Sequence, residues 1–240
     1  MKSIVITLPA HNEDKILRSS VSTIVAFCDK NLLDFDWRVV ISDNGSTDST
    51  PEVGQDLQRL YDRVFYSRIE QKGKGWGIRA GWQTIDCDFY CFMDADLATD
   101  LQALPVAIQE LNKGNDLVVG SRFLPQSQVH RTLVRWTFSY LYKLASFVLV
   151  QCPVNDLPCG FKIIHKRAWG DIEKSIYATD WFFDSELVII AHRRGFKIKE
   201  LPIKWNDIRE KNDKSKVKVL SLGWRYLVSL LALRKRLNNK

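Results

Sequence analysis

Five short runs of apolar and β-branched residues alternate with four helix-patterned segments over the first half of the chain. This alternation restricts the fold more than any other feature. Residues 3–8, 37–42, 64–67, 89–93 and 117–120 read as strands, and residues 15–30, 50–61, 78–84 and 101–113 as the helices between them. Strands this uniformly apolar are buried on both faces, which requires a mainly parallel, Rossmann-like sheet with helices packed on each side. Ligands bind such α/β sheets outside the carboxyl ends of the strands. The second half is less regular. It offers an apolar-aromatic helix near 131–150, a loop through 156–161, a helix near 183–194, a strand near 197–201 and an amphipathic helix near 219–237.

At 240 residues the chain has the length for one large domain with an ample core. The net charge of +7 points to an anionic partner, which composition alone leaves as nucleic acid, a phosphorylated ligand or an acidic membrane. The five cysteines (Cys28, Cys87, Cys91, Cys152, Cys159) form no Cys-x-x-Cys pair and read as reduced cytoplasmic thiols rather than a disulfide frame or zinc site. The opening apolar run leads into Pro9, so no signal peptide is expected. The longest apolar stretch, 136–152, is interrupted by Lys143 and is short for a membrane span. A soluble or peripheral protein is expected.

The polar clusters fall where the strands of the expected sheet end. Pro9-Ala10-His11-Asn12-Glu13 follows the first strand, Ser42-Asp43-Asn44-Gly45-Ser46-Thr47-Asp48 the second, Asp94-Ala95-Asp96 the fourth and Ser121-Arg122 the fifth. One crevice therefore collects several acids and a base. In Asp94-Ala95-Asp96 the first and third side chains point the same way if the strand geometry continues. Two converging carboxylates repel unless a cation lies between them. Mg2+ is held by one or two carboxylates when phosphate oxygens supply the remaining ligands. A solvated turn would explain the triplet alone, since Asp is common where strands stop.

This set resembles glycosyltransferase family 2, with its nucleotide-sugar-binding GT-A fold. The opening Pro-x-x-Asn-Glu appears as Pro9 to Glu13. The Asp-Asp-Gly-Ser-x-Asp-x-Thr motif appears as Asp43 to Thr50, with Asn44 where a second Asp is usual. A narrower resemblance, to the dolichyl-phosphate glucosyltransferases, rests on Gly120-Ser121-Arg122, Arg131 and Arg135, Asp156-Leu157-Pro158-Cys159-Gly160-Phe161-Lys162, Phe183-Asp184-Ser185-Glu186-Leu187 and Lys204-Trp205-Asn206-Asp207-Ile208.

The resemblance implies a metal-dependent, inverting transferase that moves a hexose, glucose first, from a nucleotide donor to a dolichyl or polyprenyl phosphate. UDP-glucose is the preferred donor; a mannose synthase using GDP-mannose, an N-acetylglucosamine synthase, or a family 2 transferase with a glycan acceptor is the alternative. Pro9, Ala10, Asn12, Glu13, Asp43 and Asn44 would line the donor site, Asp43 meeting the base and Glu13 the ribose. Asp94 and Asp96, joined by Ala95, would hold Mg2+ or Mn2+ on the diphosphate. Lys72, Lys74 and Gly75 belong to a glycine-rich loop that could approach phosphate. Arg122, Arg131 and Arg135 would grip the acceptor phosphate, which is already ionised and needs no strong general base. Asp156, Cys159, Gly160 and Asp184 would shape the loop or contact the sugar. The N-terminal membrane anchor of eukaryotic members has no counterpart at the start of this sequence. The same reading divides the chain into a transferase domain, 1–208, and a basic loop with an amphipathic helix, 209–240. It places the protein at the cytoplasmic face of an anionic membrane and leaves nucleic acid out.

Simpler roles compete for several of these residues. Asn12 suits a helix N-cap with the helix starting at Glu13. Asp48 reads as structural. Arg131 and Arg135, four apart, suit a solvated helix face equally well. Gly75-Trp76-Gly77-Ile78-Arg79-Ala80 matches a dinucleotide fingerprint, but no buried strand leads into it. Trp181 and Trp205 suit packing better than substrate stacking. In the last helix Leu222, Tyr226, Leu230 and Leu233, followed by Arg234-Lys235-Arg236, could face lipid or pack on the sheet. Processive synthases carry Gln-x-x-Arg-Trp, which Arg135-Trp136 lacks, and nucleotidyltransferases carry a glycine-rich first loop. A donor-binding sensor without catalysis, or another basic binding protein, is the rival of a different class.

Overall fold

The computed structural model describes residues 1–130, 133–206 and 219–239. The alternation expected from the sequence is present: β1 (Lys2–Ala10), α1 (Asp14–Asn31), β2 (Phe35–Asn44), α2 (Thr50–Leu60), β3 (Val64–Ile69), α3 (Lys74–Thr84), β4 (Phe89–Met93), α4 (Ala103–Asn112) and β5 (Leu117–Ser121). There follow β6 (Gln128–His130), α5 (Leu133–Val150), β7 (Phe161–His165), α6 (Lys166–Ile172), a 3-10 turn (Glu173–Ser175), α7 (Phe183–Arg193), β8 (Ile198–Pro202), β9 (Lys204–Asn206) and α8 (Val219–Asn238). The central sheet runs β3-β2-β1-β4-β7-β5-β8, and β6 pairs with β9 in a separate ribbon.

Every pairing in the large sheet is parallel except those of β7, which lies antiparallel between β4 and β5. This reversal decides the site. In its register Phe161 stands opposite Met93, so the loop leading into β7 arrives at the carboxyl end of β4. The loop expected at 156–161 is there, but Phe161 already belongs to the strand. β7 itself, α6 and the β6–β9 ribbon go beyond the sequence reading. The central strands β1, β4 and β5 are buried along nearly their whole length, which is why they read as continuous apolar runs.

The start of α3 is a correction. The helix begins at Lys74, not at residue 78, although Gly75 and Gly77 are poor helix formers. Tertiary contact overrides propensity there. A Cβ on Gly75 would lie 2.8 Å from the Phe183 Cβ and 2.8 Å from the Thr179 carbonyl carbon. The glycines of this stretch let α3 press against the segment before α7.

The last helix settles onto the domain through the stripe that the sequence left open between lipid and sheet. Tyr226, Leu230 and Leu233 are buried, and α8 packs on α5. Its exposed apolar stripe is instead Trp224, Val228 and Leu231. Arg234 and Lys235 are exposed, whereas Arg236 turns inward to the buried Glu186. On α5, Trp136, Tyr140, Leu141, Leu144, Phe147 and Val148 are exposed. No described helix is long and apolar enough to cross a membrane. Arg131, the Arg135 and Leu222 side chains, Asp207, Ile208 and the basic loop 209–218 lie outside the described residues.

Candidate active site

The carboxyl ends of β1, β2 and β4 meet the loop before β7 in one crevice. Where the β1 and β2 loops meet, Asn12 is not a helix cap. Its φ is 58°, Glu13 takes the cap position, and the Asn12 Oδ1 accepts from the Thr47 backbone N–H at 2.8 Å. The Asn12 N–H donates to Ser46 Oγ and that of Glu13 to Thr50 Oγ1, so the β1 and β2 loops are laced together. Asp48 accepts from the Thr50 N–H, the structural part expected of it.

Asp43 is fully buried. Its Oδ1 accepts from the Ser46 N–H, and its Oδ2 accepts from the Tyr66 hydroxyl at 2.8 Å and from Arg68 at 3.1 Å. Burial, then the Asp43 carboxylate, pushes the Tyr66 hydroxyl up to about 12. Tyr66 and Arg68 escaped the sequence reading because both lie on an edge strand without a motif. Asn44 explains its own departure from the family pattern. Its amide nitrogen donates to the Ala10 carbonyl at 2.6 Å and its oxygen accepts from the Gly73 N–H at 3.2 Å. An ionised Asp has no proton for Ala10.

Lys74 points inward from the first residue of α3 rather than outward from a loop. Its Nζ lies 2.7 Å from Asp94 Oδ1 and 2.6 Å from Asp184 Oδ2, between the rings of Phe92 and Trp181. Burial opposes its charge, but the two carboxylates outweigh this and hold its pKa above the ordinary range. Burial raises the Asp184 pKa against the pull of Lys74 and Lys162, and Asp184 Oδ1 is buried without a hydrogen-bond partner. Lys72 stays exposed.

Asp94 and Asp96 stand half-buried at the mouth. The Asp94 N–H donates to the Gly160 carbonyl, and Asp96 accepts from the Ala98 N–H. Ala95 is buried between them. A Cβ on Gly160 would sit 1.8 Å from Asp94 Oδ2, so only glycine fits against this carboxylate. The two acids fit a hard divalent cation in ligand type. No cluster of three His, Cys, Asp or Glu residues that could hold a metal occurs among the described residues, so other ligands would come from the substrate.

The phosphate-gripping role expected of Arg122 meets an obstacle. Its Nε and Nη2 form a bidentate pair with the fully buried Asp156, at 2.7 and 2.8 Å, and its backbone N–H donates to the same carboxylate. Burial pushes the Asp156 carboxyl up, but the charge and hydrogen bonds of Arg122 prevail and hold it below the usual range. Trp205 lies against the same guanidinium, 5.3 Å from ring centre to Cζ. Cys159 is buried within this loop.

Residues 4–172 match Glycosyl transferase family 2, and the chain belongs to that family. It is 31% identical over 212 residues to a dolichyl-phosphate beta-glucosyltransferase of Trichomonas vaginalis, covering 84% of this chain and 65% of the relative. It is 27% identical to the glycosyltransferase AglD of Haloferax volcanii, over 83% of this chain and 32% of that protein. The chain thus spans under two thirds of these relatives' lengths. Among solved structures, glucosyl-3-phosphoglycerate synthase of Mycobacterium tuberculosis in complex with UDP superposes with a TM-score of 0.71 at 18% identity, covering 97% of this chain and 80% of that one. The same enzyme with Mn2+, UDP and glucosyl-3-phosphoglycerate gives 0.68. The fold is GT-A.

Proposed function

We propose that this chain is a metal-dependent, inverting hexosyltransferase that moves glucose from UDP-glucose to a dolichyl or polyprenyl phosphate. The observation carrying this reading is the pairing of Asp94 with the buried Lys74 at the carboxyl end of β4, with Asp96 two residues on at the same crevice mouth. Asp96, with Asp94 beside it, would hold Mg2+ or Mn2+, which when bound neutralises charge on the departing diphosphate. Lys74 keeps the Asp94 carboxylate oriented. The laced loops around Glu13, Asp43 and Asn44 form the nucleoside end. With the Arg122 fork engaged by Asp156, the acceptor phosphate falls to Arg131 and Arg135. Attack by this ionised phosphate on C1 forms the new C–O bond as the bond to the diphosphate breaks, inverting the anomeric centre. The name of the Trichomonas relative and the UDP and Mn2+ of the mycobacterial complexes support the choice of donor, metal and acceptor.

A lipid-linked acceptor requires access to a membrane, and we assign that contact to the exposed apolar faces of α5 and α8. The α5 face borders a groove of about 140 Å³ lined by Tyr140, Lys143, Leu144, Phe147 and Val154, among others. We place the protein peripherally, at the cytoplasmic face, with 209–240 associating beside the α5 face.

The test is transfer from radiolabelled UDP-glucose, GDP-mannose and UDP-N-acetylglucosamine to a polyprenyl phosphate, with Mg2+ or Mn2+, beside EDTA and Asp96→Ala controls. Lipid-soluble label from UDP-glucose, lost in both controls, is the expected result. Label from GDP-mannose instead would change the sugar. Metal-dependent donor hydrolysis without lipid product would reject the acceptor, and neither signal from folded protein would reject the enzyme.

A further inference from the structure

Lys162 is fully buried in β7, an unusual place for an ammonium group, and nothing in the reaction outlined above uses it. Its Nζ donates to the Cys159 carbonyl at 2.6 Å and lies 5.4 Å from the centre of the Phe92 ring, the ring that also flanks Lys74. Burying an ammonium costs several kcal/mol unless opposing charge and hydrogen bonds compensate. Lys162 stands opposite Phe92 in the β4–β7 pairing, and burial lowers its pKa against the pull of the Asp184 carboxylate.

We propose that Lys162 is a positioning residue for Asp94, acting through the Cys159–Gly160 peptide. The Cys159 carbonyl belongs to the peptide unit that precedes Gly160, so gripping it fixes the plane of that peptide. Gly160 is the residue whose own carbonyl receives the Asp94 N–H at 3.1 Å and whose Cα abuts the Asp94 carboxylate. The loop is therefore clamped at both ends, by Arg122 on Asp156 and by Lys162 on Cys159. Between the clamps Gly160 forms a wall that sets where the Asp94 oxygens lie. An apolar side chain of similar length would fill the space of Lys162 but release the peptide.

This assignment rests on the donor-site reading for its functional consequence, and its structural consequence can be read separately. The full chain carrying Lys162→Met should stay folded with a modestly lowered unfolding temperature, because the apolar side chain fills the space and the hydrogen bond to the Cys159 carbonyl is lost. Its affinity for UDP in the presence of Mn2+, measured by calorimetry, should fall about 10- to 100-fold, the usual loss when the support of a metal ligand is removed. A crystal structure of the variant should show the Cys159–Gly160 peptide turned and the Asp94 carboxylate displaced. Gly160→Ala, which disturbs the same wall, should give a similar loss, and the double variant should be no worse than either single one. Unmoved Asp94 oxygens, wild-type affinity in Lys162→Met, or additive losses would each overturn the assignment. Failure of the unaltered chain to bind UDP with Mn2+, with Asp94 still displaced in the variant, would instead reject the donor reading and keep the positioning role.

Discussion

Lys74 and Asp184 form a buried ion pair, Nζ to Oδ2 2.6 Å, across the interface between the first turns of α3 and α7. The pair carries a second carboxylate, Asp94, on the solvent side. Lys74→Met strands Asp184 in an apolar setting, and breaking such a pair from one side costs about 3–5 kcal/mol. The double variant Lys74→Met/Asp184→Leu removes both charges and should recover most of that loss. Urea unfolding of the single and double variants checks this; equal loss in both would show that packing, not charge, holds the two helices.

Asp156 predicts an acid limb in the stability curve. Its folded pKa is depressed, so the stability contributed by its ionised form is complete above the unfolded value of about 3.9 and is lost as pH falls through the folded value. Thermal melts below about pH 4 should therefore steepen in the wild-type chain. In Asp156→Asn the chain is weaker at neutral pH, because Arg122 keeps its charge without a counter-ion, and this part of the acid slope disappears.

Two glycines in helices should respond to alanine with opposite signs. A Cβ added to Gly170 in α6 would meet nothing within 4 Å, so Gly170→Ala should stabilise by about 0.5–1 kcal/mol from backbone propensity alone. Gly75→Ala forces a methyl group against Thr179 and Phe183 and should destabilise by about 1–3 kcal/mol despite the same propensity gain. Chemical denaturation midpoints of the two variants provide the comparison.

Asn44→Asp restores the residue usual in the family, yet here it should weaken the fold. The carboxylate retains an acceptor for the Gly73 N–H but opposes the Ala10 carbonyl. The loss expected is about 1–3 kcal/mol, that of an unmet buried hydrogen bond, and it should shrink in acid as the new carboxyl takes a proton. A difference in melting temperature between variant and unaltered chain that stays constant with pH would refute the donor role of Asn44.

The parallel half of the sheet was legible because buried strands leave continuous apolar runs, and the motifs after β1, β2 and β4 marked the crevice. What remained hidden had physical causes. In β7, Lys162 breaks the apolar run of a strand that is nonetheless fully buried there, and nothing in a sequence announces a reversal of direction. In α3 the glycines that permit close packing also erase the helix signal. Lys74 looked like a phosphate ligand because a glycine-rich loop and a lysine share that signature with an inward-turned ion pair. Asn12 looked like a cap because Asn suits caps and left-handed turns alike. On α8 two apolar stripes lie side by side, and only packing tells which one faces the domain.

The insertion of β7 between β4 and β5 also orders events in time. A nascent chain completes β4 and β5 well before β7 is made, and their shared gap can close only when a strand from much further along returns antiparallel to fill it. Until residue 165 has been synthesised, both strands present unpaired edges of apolar residues, the surface on which chains stick to one another. The wall that sets Asp94 is carried in by that same late strand. A stalled or truncated chain would thus hold Asp94 and Asp96 without the wall that positions Asp94, and its open edges would mark it for aggregation or disposal.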